Sequence, residues 1–211
     1  MKIIGLSKKP LIIAAEIILN GGVIICPTDT VYGFLADATN KKAVDRIYRI
    51  KKRSKSKPLA IFVENIKMAK IIAGINGKQE KVLRKYWPGK YTFILKLKIK
   101  NFTLTPKFDV GARKSKTNSK NKRLYGITKN TIAMRIPKYK FLNDLLEKID
   151  RPLVQTSVNI STKKPLKNIN EISAVFGKNR LIELIIDAGS LKSVKPSKII
   201  NLTSNKLKVL R

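Results

Sequence analysis

Val23-Ile24-Ile25-Cys26-Pro27-Thr28-Asp29-Thr30-Val31-Tyr32-Gly33 is the stretch on which the fold class turns. Val23 to Cys26 is a short apolar run rich in β-branched residues, bounded by Gly21-Gly22 and Pro27, and predicts a buried strand. Before it, Leu11 to Leu19 is apolar apart from Glu16 and stops at Asn20-Gly21-Gly22, the pattern of a short helix with a glycine stop. After it, Thr28-Asp29-Thr30 forms a polar turn at the strand's carboxyl end. A helix, a buried strand and a polar turn in that order are the beginning of an α/β domain.

The same alternation continues outward. Ala43, Val44, Ile47 and Ile50 recur at helical spacing within Lys41 to Ile50, and Lys51 to Lys57 follows as a basic loop. Leu59 to Val63 predicts a second buried strand, and Ile66 to Ile72 and Gln79 to Tyr86 predict helices. Trp87-Pro88-Gly89 breaks the latter before a strand over Tyr91 to Leu97. Further strands are predicted at Thr131 to Ile136, Leu153 to Ser157, Leu184 to Asp187, Lys198 to Leu202 and Leu207 to Leu210. Helices are predicted at Phe141 to Ile149 and Ile169 to Phe176. Residues 103–130 are read as a Lys-rich surface insertion in a single domain spanning 1–211, since Lys, Asn, Ser and Thr dominate its middle and periodicity is weak.

Composition narrows the function classes. With 211 residues and 43% hydrophobic content, the chain can bury one good core. No apolar run is long enough to span a bilayer, Ser7-Lys8-Lys9-Pro10 interrupts any signal-peptide core, and the single Cys26 cannot form an internal disulfide. A cytoplasmic protein with no membrane partner is expected. A net charge of +33, from 46 Lys and Arg against 13 Asp and Glu, attracts polyanions. Because the lysines are spread over nearly every segment and accompany abundant Ile and Asn, compositional drift competes with a nucleic-acid footprint as the cause. The absence of histidine removes His-assisted Ser or Cys nucleophiles and the commonest transition-metal ligand. Neither a covalent nucleophile nor a protein-held metal is expected.

Three clusters could carry chemistry. The two threonine hydroxyls and the carboxylate of Thr28-Asp29-Thr30 sit where open α/β sheets place ligands, although the same residues also make ordinary turns. Lys51-Lys52-Arg53-Ser54 and Lys57 offer cations suited to phosphate oxygens, or a solvated basic loop. Gln155-Thr156-Ser157-Val158-Asn159 ends another strand and can bond phosphate, ribose or adenine, or cap the next helix. No glycine-rich phosphate loop or dinucleotide fingerprint is present.

Taken in order, Pro27 to Gly33, Lys51-x-Arg53, Lys57-Pro58-Leu59, Trp87-Pro88-Gly89 with Thr92-Phe93, Thr131 to Pro137, and Thr156-Ser157-Val158-Asn159 resemble the YrdC-like family of threonylcarbamoyl-AMP synthases over nearly the whole chain. The resemblance implies an α/β fold, a twisted open mixed sheet with flanking helices and a basic concave cavity. It implies a nucleotidyltransferase that makes threonylcarbamoyl-AMP and pyrophosphate from L-threonine, bicarbonate or CO2, and ATP with Mg2+. A threonylcarbamoyl transferase complex would receive the product to modify adenosine beside the tRNA anticodon, and direct tRNA binding is a further option.

Carried over by position, Lys51, Arg53, Lys57, Thr131, Ser157, Asn159 and Arg211 fall on the ATP side, and Thr30, Arg135, Gln155 and Ser197 on the threonine side. Arg135 matches the contact to the amino-acid carboxylate. The sequence departs from the family pattern at Val158, usually Ala, at Lys198, usually Thr, and in the Lys-rich insertion. It resembles the short, single-domain form. Two other functions fit part of the pattern: a non-catalytic RNA-binding protein on the same fold, and a carbamoyl-transfer module acting on another amine.

Overall fold

The computed structural model describes residues 1–6, 8–98, 101–102, 122–191, 195–204 and 207–211. The first half of the chain forms β1 (Lys2–Gly5), α1 (Lys8–Leu19), β2 (Ile24–Cys26), β3 (Gly33–Asp37), α2 (Lys41–Lys51), β4 (Ala60–Phe62), α3 (Ile66–Ile72), β5 (Ala73–Gly74), α4 (Gly77–Tyr86) and β6 (Tyr91–Leu97). Then follow β7 (Asn101–Phe102), β8 (Lys122–Arg123), β9 (Thr131–Arg135), α5 (Lys140–Ile149), β10 (Leu153–Ser157), α6 (Ile169–Phe176), β11 (Leu184–Asp187), β12 (Lys198–Asn201) and β13 (Lys208–Val209).

One mixed sheet runs in the order β1-β11-β2-β3-β10-β4-β9-β6-β12-β13, with β5 also on β6. β1, β11 and β2 are mutually parallel neighbours, β2-β3-β10-β4 are antiparallel, and β4-β9 and β6-β12 are parallel pairs. The sheet is open: its ends, β1 and β13, do not meet.

Side chains alternate between two cores. Ile24, Leu35, Phe62, Leu153, Leu184 and Ile186 point to the face packed by α1 and α5. Their neighbours Ile25, Phe34, Ile61, Val154 and Ile185 point to the other face and a larger core with residues of α2, α3, α4 and α6. Burial on both sides erases the period-two pattern, which is why these strands read as continuous apolar runs.

Beyond β4 the pattern changes. Phe93, Leu95, Ile132, Met134 and Ile200 still enter the larger core. Among the described residues, the α1/α5 core takes nothing from β6, β9 or β12. On these strands the face that α1 and α5 cover elsewhere is left bare, and this produces the concavity.

Four helices begin with Asn. Asn40, Asn65, Asn76 and Asn168 each accept the backbone N–H of the residue three positions on, which satisfies one of the orphan donors of the first turn. Gly21, at φ +81°, makes the turn after α1, and a Cβ there would stand 2.5 Å from the Asn40 side chain that caps α2.

Five strands, β1, β3 and the two-residue β5, β7 and β8, have no counterpart among the predicted strands. Every residue of β3, Gly-Phe-Leu-Ala-Asp, is buried, but it has no β-branched residue and is bounded by turn-forming Gly and Asp, so it merges with the preceding motif. The predicted insertion also extends too far. Most of it, residues 103–121, lies outside the described residues. By Leu124, which is 3% exposed, the chain has rejoined the core. Tyr125 N donates to Ala38 O at 2.9 Å, and Leu59 N donates to Gly126 O at 2.7 Å.

Candidate active site

The bare face forms a cavity of about 450 Å³ at the carboxyl ends of β2, β9 and β10 and beside β6 and β12. Thr30, Arg53, Arg135, Gln155, Ser157, Asn159, Ser197 and Arg211, drawn from distant parts of the sequence, all line it. Ile94, Ala133 and Ile199 add an apolar floor, the members of β6, β9 and β12 that point away from the larger core. Among the described residues its charged lining side chains are Arg53, Arg135, Lys163 and Arg211, with no Asp or Glu.

The first wall is the turn after β2. Thr28 Oγ1 donates to Val31 O at 2.7 Å and accepts the N–H of Thr30 at 2.9 Å and of Val31 at 3.1 Å. This hydroxyl therefore stands in for backbone partners and fixes the turn. Thr30, 4% exposed, accepts from Arg135 Nη1 at 3.2 Å.

Arg135 closes β9 and is 1% exposed. Its Nε donates to Gly89 O at 2.8 Å and its Nη2 to Asp29 Oδ1. The guanidinium also lies over the Phe62 ring, 5.7 Å from the centroid. Burial pulls its pKa below the usual arginine value, and Asp29 opposes that pull. Gly89 belongs to the Trp87-Pro88-Gly89 turn, whose N–H in turn donates to Ile136 O at 3.0 Å.

The second wall is the loop after β10. Ser157 Oγ donates to Asn159 Oδ1 at 2.8 Å, and Asn159 Nδ2 donates to Lys163 O at 2.5 Å. Behind it lies Lys51, 2% exposed, whose Nζ donates to Ser157 O at 2.6 Å, Asn159 O at 3.0 Å and Asn159 Oδ1 at 2.7 Å. Three acceptors match the three N–H groups of an ammonium. Burial, followed by repulsion from Arg53, lowers the Lys51 pKa to about 7. Lys51 thus holds the loop from behind and does not reach the cavity.

Arg53 clips the basic loop by donating to Lys57 O at 3.2 Å and Pro58 O at 3.0 Å. Lys57 itself is exposed and outside the lining; its carbonyl is the part that matters, accepting from Arg53 and from Tyr48 OH at 3.1 Å. Thr131 is also outside the cavity. It faces an adjoining depression with Lys96, Lys98 and Lys129, and its Oγ1 is 2.8 Å from Thr128 Oγ1. The contacts predicted for Lys51, Lys57 and Thr131 therefore do not converge with the other eight positions at the cavity wall.

At the far edge Ser197 Oγ lies 2.9 Å from Thr92 Oγ1, both buried, and Arg211 Nη2 donates to Ser197 O at 3.1 Å. Thr92 and Lys163 were not among the predicted contacts. Thr92 had a signal: it alternates with Phe93 and Leu95 on β6, so it had to face away from the core. Lys163 had none, being one lysine among many.

With this geometry in view, the family model Sua5_yciO_yrdC, described as telomere recombination, matches residues 16–211. The chain belongs to the Sua5/YciO/YrdC family. It is 34% identical over 205 residues to a Methanocaldococcus jannaschii protein provisionally named threonylcarbamoyl-AMP synthase, covering 97% of this chain and 86% of that one. It is 30% identical over 193 residues to the threonylcarbamoyl-AMP synthase of Buchnera aphidicola subsp. Acyrthosiphon pisum, with coverage of 89% and 96%. The structure of Pyrococcus abyssi Sua5 complexed with L-threonine matches with a TM-score of 0.81 at 28% identity, over 100% of this chain and 57% of that one. This chain therefore spans little more than half of the Pyrococcus protein. The cavity of this family member is the bare half of the family's open sheet.

Proposed function

We propose that this chain is a threonylcarbamoyl-AMP synthase, converting L-threonine, bicarbonate and ATP into threonylcarbamoyl-AMP, pyrophosphate and water. The observation that carries the proposal is the convergence of Thr30, Arg135, Gln155 and Ser197 with Arg53, Ser157, Asn159 and Arg211 around one cavity whose described lining has no Asp or Glu. A cavity lined by arginines and hydroxyls suits an amino-acid carboxylate and a nucleotide's phosphates together.

In the proposed reaction bicarbonate takes up a proton and loses water to give CO2; the threonine amine, having lost a proton, attacks it, and the nitrogen gives up a second proton to solvent to leave a carbamate. A carbamate oxygen then attacks the α-phosphorus of ATP in line as the bond to pyrophosphate breaks. No side chain forms a covalent bond. Arg135 and Thr30 hold threonine, with Gln155 and Ser197 beside it. Arg53, Ser157, Asn159 and Arg211 hold the nucleotide, and the arginines stabilise the charge that develops on pyrophosphate. Lys51 acts through Ser157 and Asn159. Lys57 supports Arg53 through its carbonyl, and Thr131 serves only a nucleotide that extends into the adjoining depression. With no Asp or Glu among the described lining residues, Mg2+ fits as the counter-ion that ATP brings, held by its phosphates.

The product would pass to a threonylcarbamoyl transferase that modifies adenosine next to the tRNA anticodon. We place the protein in the cytoplasm as one domain with a Lys-rich surface insertion, and among the described residues no helix is long and apolar enough to cross a membrane. Direct tRNA contact has one supporting feature. Lys96, Lys98, Lys129 and Arg123 border adjoining depressions, whose described lining also has no Asp or Glu. The test is pyrophosphate release from ATP, Mg2+ and bicarbonate with and without L-threonine. Threonine-dependent release that Arg135→Ala abolishes supports the synthase. No release, combined with tight and salt-sensitive tRNA binding, supports a non-catalytic RNA-binding protein instead.

A further inference from the structure

We propose that Asp29 is a positioning residue for substrate threonine: it locks the Arg135 guanidinium so that one N–H on each terminal nitrogen stays available for the amino-acid carboxylate. This rests on the synthase function proposed above. Asp29 does not line the cavity. Its side chain is 7% exposed and that of Arg135 is 2% exposed, so the pair is buried, with Arg135 at the cavity wall and Asp29 behind it.

The donor count carries the inference. A guanidinium has five N–H groups. Nε uses one on Gly89 O, Nη1 one on Thr30 Oγ1, and Nη2 one on Asp29 Oδ1. One N–H therefore remains on Nη1 and one on Nη2, the number a carboxylate takes in a two-pronged contact. Thr30 Oγ1 also lies 2.9 Å from Thr28 Oγ1, whose own proton goes to Val31 O, so the Thr30 hydroxyl is tied to the turn and the two remaining Arg135 N–H groups carry the contact.

Asp29 is itself held at two points. Oδ1 accepts from Arg135, and Oδ2 accepts the Lys138 backbone N–H at 3.1 Å. Only a carboxylate serves both donors. An Asn in either flip sets its NH2 against the N–H of Arg135 or of Lys138. Asp29 also ties the turn after β2 to the segment leaving β9, so Thr30 and Arg135 keep one relative position. The ion pair reduces the net charge that Arg135 shows the cavity, which leaves geometry as the basis of recognition.

The experiment compares wild type, Asp29→Asn, Arg135→Lys and the double variant in pyrophosphate release, with KM for threonine and ATP measured separately. Loss of a hydrogen bond to a charged group predicts a threonine KM raised about tenfold or more in Asp29→Asn, with the ATP KM within about twofold of wild type. Because the two residues act as a unit, the double variant is expected to be no worse than Arg135→Lys alone. Equal effects on both substrates, an unchanged threonine KM, or additive losses overturn the inference. If Asp29→Asn fails to fold, Lys138→Pro deletes the N–H that holds Oδ2 while leaving both side chains in place, and the same threonine-selective rise is expected; an unchanged threonine KM there overturns it. A wild-type protein with no threonine-dependent release overturns the synthase function and this inference together, whereas an active wild type with an unchanged Asp29→Asn overturns the inference alone.

Discussion

Lys51 spends its three N–H groups on the loop that presents Ser157 and Asn159. As one of several cations after a helix it reads as a phosphate ligand, yet it sits four residues beyond Ile47, on the buried stripe of α2 that also contains Ala43 and Val44. The helical spacing held that information; the run of neighbouring lysines concealed it. Replacing Lys51 by Met would leave three acceptors without their donor, each costing about 1–3 kcal/mol, and would loosen the loop that presents Ser157 and Asn159. A rise in ATP KM of about tenfold or more is expected, read in steady-state kinetics. The pH dependence has a definite sign. The folded pKa is lowered to about 7 from 10.5, so between these values the native state has released a proton that the unfolded chain retains. Stability from this group therefore rises with pH across that window, by up to about 1.4 kcal/mol per unit, and is flat below it. Urea unfolding at pH 7, 8 and 9 should show this slope in wild type and its loss in Lys51→Met.

The elements were legible to different degrees, for reasons of burial. Buried runs such as Leu184–Asp187 and alternating ones such as Tyr91–Leu97 announced themselves. β3 did not, because its pairing with β2 and β10 and not its own propensity makes it a strand. The loop after β10 holds a strain that the sequence could not reveal. Thr162 lies at φ +74°, next to Lys163 at the cavity edge. A β-branched residue is unfavourable there. Thr162→Gly should stabilise the fold by about 1 kcal/mol, measured as a rise in the thermal midpoint; an unchanged or lower midpoint would mean that the Thr162 side chain compensates for its backbone. The Asn caps make the opposite prediction. Asn40 opens the helix that ends in Lys51, and Asn40→Ala should lose about 1 kcal/mol in the same assay.

At the scale of the whole molecule, the site exists because one face of one sheet is half covered. α1 and α5 fill that face over β11, β2 and β3 and leave it open over β9, β6 and β12. Strand order brings Thr30, Arg135 and Ser157 together from positions far apart in the chain, and no local pattern predicts that order; the motifs identified residues whose meeting only the topology explains. The net charge of +33 belongs to this scale as well. Self-repulsion should make the fold more stable as salt rises from about 0.05 to 0.3 M, while binding of ATP or tRNA weakens over the same range; a midpoint that falls with salt would show that specific ion pairs outweigh the general repulsion. The central claim, that the cavity joins threonine to ATP, is tested most directly by pyrophosphate release from ATP, Mg2+ and bicarbonate with L-threonine, with other amino acids and with none. Release selective for threonine and lost in Arg135→Ala is expected; release indifferent to the amino acid, or unchanged in that variant, would contradict a threonine-joining site.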